Sequence, residues 1–311
     1  MRRTALAAVL LLAFRGPALA EPGQTGAVTL ARPLGARAPG LAGAFSAVPA
    51  GLDSLSYNPA ALAPMDRGAV MTDYTHGIVD DSFGFLGAAQ PLTKSVTLTA
   101  GLAYYDAGSI TLNPTGGAQQ TVSVERDWYG LVGGAVELPG RLSVGALAKY
   151  YRFTLAEAAT ARGEAFDAGA LWRSPVRGLS FGAAMQNAGP DVKFEQQGDP
   201  LPLTLRAGAA YEFGIDANLD EARIGFDRFL VTADAVKARD ERATAAAGVE
   251  MRMPLGGADY GALRGGYAFN NEADSVSLGL GLRQGRFLFD YALGIKRVIG
   301  VEHHFSFGIR L

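Results

Sequence analysis

The residues whose types could do chemistry are Ser180 and three histidines. Ser180 stands in Gly178-Leu179-Ser180-Phe181-Gly182, which fits the G-x-S-x-G spacing of a hydrolase nucleophile elbow. That elbow works because a strand turns sharply into a helix and pushes the serine hydroxyl out of the backbone. Here the run continues as strand into Phe181-Gly182-Ala183-Ala184-Met185-Gln186, and in a chain with 41 glycines the spacing arises readily by chance. A serine nucleophile also needs a base, and His76, His303 and His304 are the only histidines; nothing in the sequence places one beside Ser180. His76 and His303, paired, would be one ligand short even of a catalytic zinc site. The chain has no cysteine, which removes thiol catalysis, thiolate metal sites and disulfides together. There is no phosphate loop, dinucleotide fingerprint or paired-carboxylate signature. The chain reads as a non-enzyme with no cofactor and no metal site.

The elements that carry these residues are strands. Between 274 and the C-terminus, Val276, Leu278, Leu280 and Leu282 alternate with Ser277, Gly279, Gly281 and Arg283. After a tight turn at Gln284-Gly285, Phe287, Phe289, Tyr291, Leu293 and Ile295 alternate with Leu288, Asp290, Ala292, Gly294 and Lys296. Phe305, Phe307, Ile309 and Leu311 then alternate with His304, Ser306, Gly308 and Arg310. Side chains along a strand point to opposite faces, so each ribbon has one greasy and one mostly small or polar side. The same reading gives segments 68–78, 81–91, 95–106, 125–137, 141–155, 163–173, 177–188, 202–213, 224–238, 242–253, 259–269, 274–284, 286–296 and 302–311. These amount to about fourteen strands, an even number, near the length that a tilted membrane strand requires.

Connections alternate as well. Turns following the even-numbered segments, at 91, 138, 174, 254 and 284, are tight, the stretch 214–223 excepted, while 107–124 and 189–201 are the longest loops. Short turns at one end and long loops at the other are the asymmetry of an outer-membrane barrel, which a soluble sandwich has no reason to show. In a barrel, the small or charged set would face the lumen: Lys149, Arg206, Glu212, Asp234, Arg242, Glu250, Arg252, Arg283, Asp290, Lys296 and Arg310. Charges of both signs can pair there, whereas one at the lipid midplane costs about 2–4 kcal/mol. Tyr74, Tyr104, Tyr150, Tyr211 and Tyr291 lie where an aromatic girdle would. Antiparallel pairing of the first and last strands would bring His76 near His303 at the outer rim.

The first twenty residues have another character. Arg2 and Arg3 precede the apolar run Ala5–Phe14, and Pro17-Ala18-Leu19-Ala20 ends in small residues, the pattern of a secretory signal peptide cut after Ala20. The apolar run is about ten residues where a spanning helix needs about twenty, and Glu21 in place of cysteine removes a lipoprotein anchor. With 28 Lys and Arg against 30 Asp and Glu, and no basic run, no nucleic-acid partner is expected. Residues 26–66 lack alternation and are rich in Gly, Ala and Pro; their clearest signal is Asn58-Pro59-Ala60, a helix cap followed by proline at the first helical position. The expected organisation is a signal peptide over 1–20, an N-terminal segment over 21–66 and strands over 67–311.

Residues 34–63 resemble the N-terminal signature of the PorV/PorQ family of outer-membrane proteins, within the FadL-type hydrocarbon transporters. The three parts of that resemblance are Gly35-Ala36-Arg37, Gly43-Ala44-Phe45 and Asn58-Pro59-Ala60. The resemblance implies an all-β, transmembrane antiparallel barrel of fourteen strands, with the N-terminal segment folded in its lumen as a plug. It implies passive transport of hydrophobic small molecules, released when the segment around Asn58, Pro59 and Ala60 shifts, with Phe45, Leu52, Leu55 and Tyr57 as pocket or plug-packing residues. The PorV side of it implies instead a part in type IX protein secretion, with cargo signal domains as partners; a structural barrel without transport is the third reading. The alternating C-terminal strand is similar to the insertion signal read by the barrel-assembly machinery, although Leu311 replaces the usual terminal aromatic residue. Outer-membrane lipids are the remaining expected partner. If hydrocarbon covers the greasy faces, the mature chain stays folded and monodisperse only in surfactant; size-exclusion chromatography in plain buffer, showing a folded monomer, would sink that reading.

Overall fold

Period-two alternation closes on itself. In the computed structural model, which describes residues 25–77, 81–112, 118–194, 198–215, 225–270, 275–296 and 300–311, the strands form one closed antiparallel barrel. The fourteen barrel strands, in chain order, are β1 (Ala69–His76), β2 (Ser82–Pro91), β3 (Val96–Asp106), β4 (Glu125–Leu138), β5 (Leu142–Leu155), β6 (Ala159–Arg173) and β7 (Leu179–Ala188). They continue as β8 (Thr204–Gly214), β9 (Arg228–Ala238), β10 (Thr244–Gly256), β11 (Asp259–Phe269), β12 (Ser275–Gln284), β13 (Phe287–Lys296) and β14 (Gly300–Arg310). Each pairs with its neighbours in sequence, and β14 closes on β1 with His76 opposite His303. Among the described residues the only other sheets are two two-stranded hairpins in the long loops, and the barrel's own closure satisfies its backbone, which is what hydrocarbon demands and a sandwich does not provide. The expected signal peptide lies outside the described residues.

Every expected strand is present, with ends that move by a few residues for local reasons. β6 begins at Ala159 because the β5–β6 turn is made by Ala156 and Glu157, both at positive φ, residue types that give no turn signal. The turn after β12 is Gly285-Arg286, one residue later than expected, with Gly285 supplying a φ of 59°. β10 runs through Pro254 to a bulge before Gly256, so Pro254 is strand and not turn. The long loops carry small hairpins of their own, Ser109–Leu112 with Gln120–Ser123 and Val192–Lys193 with Gly198–Asp199.

Outside, the aliphatic residues of alternate positions are open: Leu278, Leu280, Leu102 and Val132 are each exposed by half or more. Tyr74, Tyr104, Trp128 and Tyr150 are exposed towards the long-loop end, and Trp172, Phe181 and Tyr211 towards the short-turn end. Tyr291 is outward too but near the middle of its strand, against Phe305. Inside, the N-terminal segment fills the lumen with four short 3-10 helices, Val28–Ala31, Pro39–Leu41, Gly51–Ser54 and Pro59–Leu62. It starts at the long-loop end, where Gly26 donates to the carbonyl of Pro200 (3.1 Å), and leaves at the short-turn end into β1.

The wall meets this plug with glycine. A Cβ on Gly145 would lie 2.6 Å from the Ala60 nitrogen, one on Gly169 2.1 Å from the Asn58 side-chain oxygen, and one on Gly182 2.0 Å from the Ser46 carbonyl. On the opposite wall, one on Gly266 would lie 2.4 Å from the Leu41 carbonyl carbon and 2.5 Å from the Ala42 nitrogen. Glycine seats of this kind mark a close approach of backbone to a strand. On the outer face of the same strand, a Cβ on Gly265 would meet nothing within 4 Å. Gly266→Ala is therefore expected to cost about 1–3 kcal/mol by overpacking against plug backbone, and Gly265→Ala to change stability by no more than about 0.5 kcal/mol. Urea unfolding of the two variants in detergent micelles compares them directly.

Candidate functional site

The lumen is two-sided. On the β1–β6 side the inward positions include Phe83, Phe85, Tyr105, Tyr129, Leu131, Leu147, Tyr151 and Phe153, all buried against Leu30, Leu34, Leu55 and Leu62 of the plug. This corrects the expectation that only small or charged residues face inward. Because the plug covers this wall with aliphatic side chains, water does not reach it and no polarity is required. The apolar interface extends from Ala27 and Val192 near the long loops to Ala63 and Met65 near the short turns.

On the other side the wall is charged. Glu250 of β10, fully buried, accepts from Arg37 of the plug (Nε 2.9 Å, Nη2 3.0 Å), from Arg252 (Nε 2.8 Å) and from Arg264 of β11 (Nε 2.6 Å). Arg264 passes on to Asp290 of β13 at 2.7 Å. Asp234 of β9 accepts from the main-chain nitrogens of Phe45 (3.1 Å) and Ser46 (2.9 Å) and from the Ser46 hydroxyl (2.5 Å). On β1, Asp73 accepts from the Gly35 nitrogen at 2.6 Å. Asp53 of the plug lies near these groups; burial first, and then the negative charge of Asp290, pushes its carboxyl up to about 7. Of the other charges expected inside, Lys149 pairs with Asp167 at 2.8 Å, Arg206 donates to Gln186, Glu212 pairs with Arg228 at the rim, Arg283 donates to the Gly285 carbonyl and Arg310 pairs with Asp66. Arg242 is a correction: it is exposed in the connection before β10, because alternation in a fully polar run does not distinguish strand from loop. The side chain of Lys296 lies outside the described residues.

Asn58, Pro59 and Ala60 sit deep in the barrel, fully buried or nearly so. The Asn58 side-chain oxygen accepts from the Ala60 nitrogen (3.1 Å) as a helix cap does, and its amide donates to the carbonyls of Ser46 (2.7 Å) and Ala170 of β6 (2.9 Å). Phe45 and Tyr57 meet edge to face at 5.6 Å in a cluster with Leu41, Val48 and Leu230, with the Arg206 guanidinium over the Tyr57 ring at 5.0 Å. Leu52 and Leu55 belong to the apolar interface on the other side, so the four pocket candidates are divided between two clusters. Ser180 lies within β7 and donates to the Ala47 carbonyl at 2.7 Å, while Gly178 makes the preceding turn and Gly182 seats the plug. The G-x-S-x-G spacing is thus absorbed by a turn and a docking contact. His304 faces inward and bonds Thr75, whereas His303 is outward and bonds the Tyr291 hydroxyl, both at 2.9 Å.

Two of the cavities that flank the plug at the short-turn end meet at Arg37 and Pro49. One of about 240 Å³ is lined by Leu52, Met65, Met71 and Leu288 together with Arg37 and Asp53. The other, about 1160 Å³, is bounded by Arg37, Val48, Pro49, Leu230 and Arg252. Pro49 and Arg37 line both, so the plug there is a thin partition. Sequence reasoning missed Arg37, Asp53 and Met71 as lining residues.

The closed barrel has parallels in fold among solved structures. The barrel is similar to TodX. The toluene transporter TodX of Pseudomonas putida superimposes with a TM-score of 0.63 at 13% identity, covering 89% of this chain and 98% of that one. A second structure of the same transporter gives 0.56 at 14% identity, over 91% and 96%. A deltaS2 mutant described as a monoaromatic hydrocarbon channel gives 0.55 at 13%, over 92% and 97%. At such identity the likeness establishes the fold. No family model and no curated protein matches the sequence.

Asn58 carries the strongest local expectation. Asn58→Ala removes a cap and strips two buried carbonyls of their donor, which should cost about 2–3 kcal/mol. Asn58→Asp, which keeps the cap acceptor but turns a carboxylate oxygen on those two carbonyls in a fully buried site, should cost at least as much in the same unfolding measurement.

Proposed function

We propose that this chain is an outer-membrane channel for small hydrophobic molecules, with the long loops outside the cell and the short turns in the periplasm. The observation that carries this reading is the apolar interface between plug and wall, which runs the length of the lumen and reaches the small cavity at Leu52, Met65 and Met71. A water-filled pore for polar solutes would instead present charged and polar side chains along its whole course. TodX, similar in fold, is a transporter of toluene, which agrees with this reading. In this proposal the outward apolar band lies in lipid, the signal peptide directs export, and Phe45, Leu52, Leu55 and Tyr57 shape the plug on either side of the route. Asn58, Pro59 and Ala60 anchor the plug, since they hold it by backbone-level contacts to Gly145 and Gly169; release is assigned to the partition at Pro49.

The alternative, a PorV-like role in type IX secretion, rests on the resemblance of residues 34–63 alone. Deleting the gene is expected to lower the initial rate of toluene or octane uptake by intact cells several-fold, leaving glucose uptake unchanged. Unaltered hydrocarbon uptake, or co-purification of the barrel with secreted cargo signal domains, would overturn the channel reading.

A further inference from the structure

On the outer wall at the long-loop end, Trp128 of β4, Arg152 of β5 and Arg162 of β6 stand in one row across three strands. Arg152 and Arg162 are directly opposed, with no acid between them. Like charges in that position destabilise a sheet. Among the described residues neither arginine has an ion pair or a side-chain hydrogen bond, and the buried Nε of Arg152 meets no acceptor. In the next row towards the loops are Arg126, Thr154 and Thr160, the two threonine hydroxyls 3.5 Å apart. Acids on the same face do not answer the opposed pair: Asp106 is taken by Arg126 (3.3 Å) and Tyr104 (3.2 Å), and Glu164 lies one row below, opposite Tyr150, without an ion pair to either arginine.

We infer that Arg152 and Arg162, with Arg126 beside them, form a site for the phosphate groups of an outer-leaflet glycolipid. Depth favours this class of ligand. The rings of Trp128 and Tyr150, 5.9 Å apart and exposed, lie at and just below the arginine row, and amphipathic aromatic rings settle at the headgroup level. Phosphates of a glycolipid anchored in that leaflet would lie beside or just above those rings. Guanidinium forks match phosphate oxygens in pairs, and a phosphate between Arg152 and Arg162 replaces repulsion with two charge-assisted contacts. The hydroxyls of Thr154 and Thr160 stand ready for the sugar or remaining phosphate oxygens. The inference rests on the outer-membrane orientation proposed above, and not on what the channel carries.

The test uses the full mature chain in nonionic detergent, with bisphosphorylated lipid A, its dephosphorylated form, phosphatidylglycerol and inorganic phosphate as probes. Binding is read by native mass spectrometry and by the shift in melting temperature. Lipid A should bind at least fivefold more tightly than each of the other three. The double variant Arg152→Gln, Arg162→Gln should lose at least fivefold in lipid A affinity while keeping the heat-modifiable gel migration of a folded barrel. Arg162→Gln alone, at an exposed position, serves if the double variant misfolds, and should show the same loss. A loss of less than fivefold, or equal binding of dephosphorylated lipid, phosphatidylglycerol or inorganic phosphate, would overturn the assignment. Fractionation of the native protein away from the outer membrane would instead defeat the orientation on which it rests.

Discussion

Main-chain N–H and C=O groups removed from water must find partners within the protein, and that single constraint shapes both parts of this molecule. The wall meets it by closure, each strand bonded on both sides from β1 round to β14. The plug has no ladder to join. Its irregular backbone is satisfied first by its own short helical turns and then by side chains that the wall sends inward, Asp73 at Gly35, Asp234 at Phe45 and Ser46, and Ser180 at Ala47, while Asn58 of the plug reaches back to the wall carbonyl of Ala170. Among the described residues, buried Asp73, Ser180 and Asp234 of the wall are therefore partners for plug backbone. A serine that fits a hydrolase spacing is one of them.

Packing and charge divide the remaining work. Where the plug brings leucines, the wall offers aromatic and aliphatic side chains, and the apolar interface so formed needs no water. Across the lumen the plug brings Arg37, and Glu250 receives it together with Arg252 and Arg264. Three guanidiniums on one buried carboxylate make that contact hard to break, because losing the carboxylate would leave unpaired buried cations. The consequence is a plug fixed at Asn58–Ala60 and near Arg37, with the chain between them, around Pro49, separating two cavities. Passage of a hydrophobic molecule, in the reading proposed here, is limited by that short stretch and not by the plug as a whole.

Alternation along β12 and β13 was enough to read strand from sequence, since Val276 to Leu282 and Phe287 to Ile295 leave no other period. So was the Asn58 cap, whose chemistry is local and whose geometry matches it. Ends were less legible. Ala156 and Glu157 turn the chain at positive φ without any residue that favours it, held there by the pairing of Leu155 with Ala159. Arg242 could be read as strand only because nothing in a polar run marks where pairing stops.

By itself, the sequence determined that the chain makes amphipathic strands in an even number, that it has no cysteine for thiol chemistry, and that residues before the strands form short helices and turns. Those follow from side-chain periodicity and local backbone preference, which act within a few residues. Only the tertiary structure decided which glycines are seats, which wall is greasy inside, and that Arg37, Arg252 and Arg264 share one carboxylate. Each of those depends on residues far apart in the chain meeting across a closed lumen, and the environment on the inner side of a strand is set by what the plug presents to it and not by the strand itself.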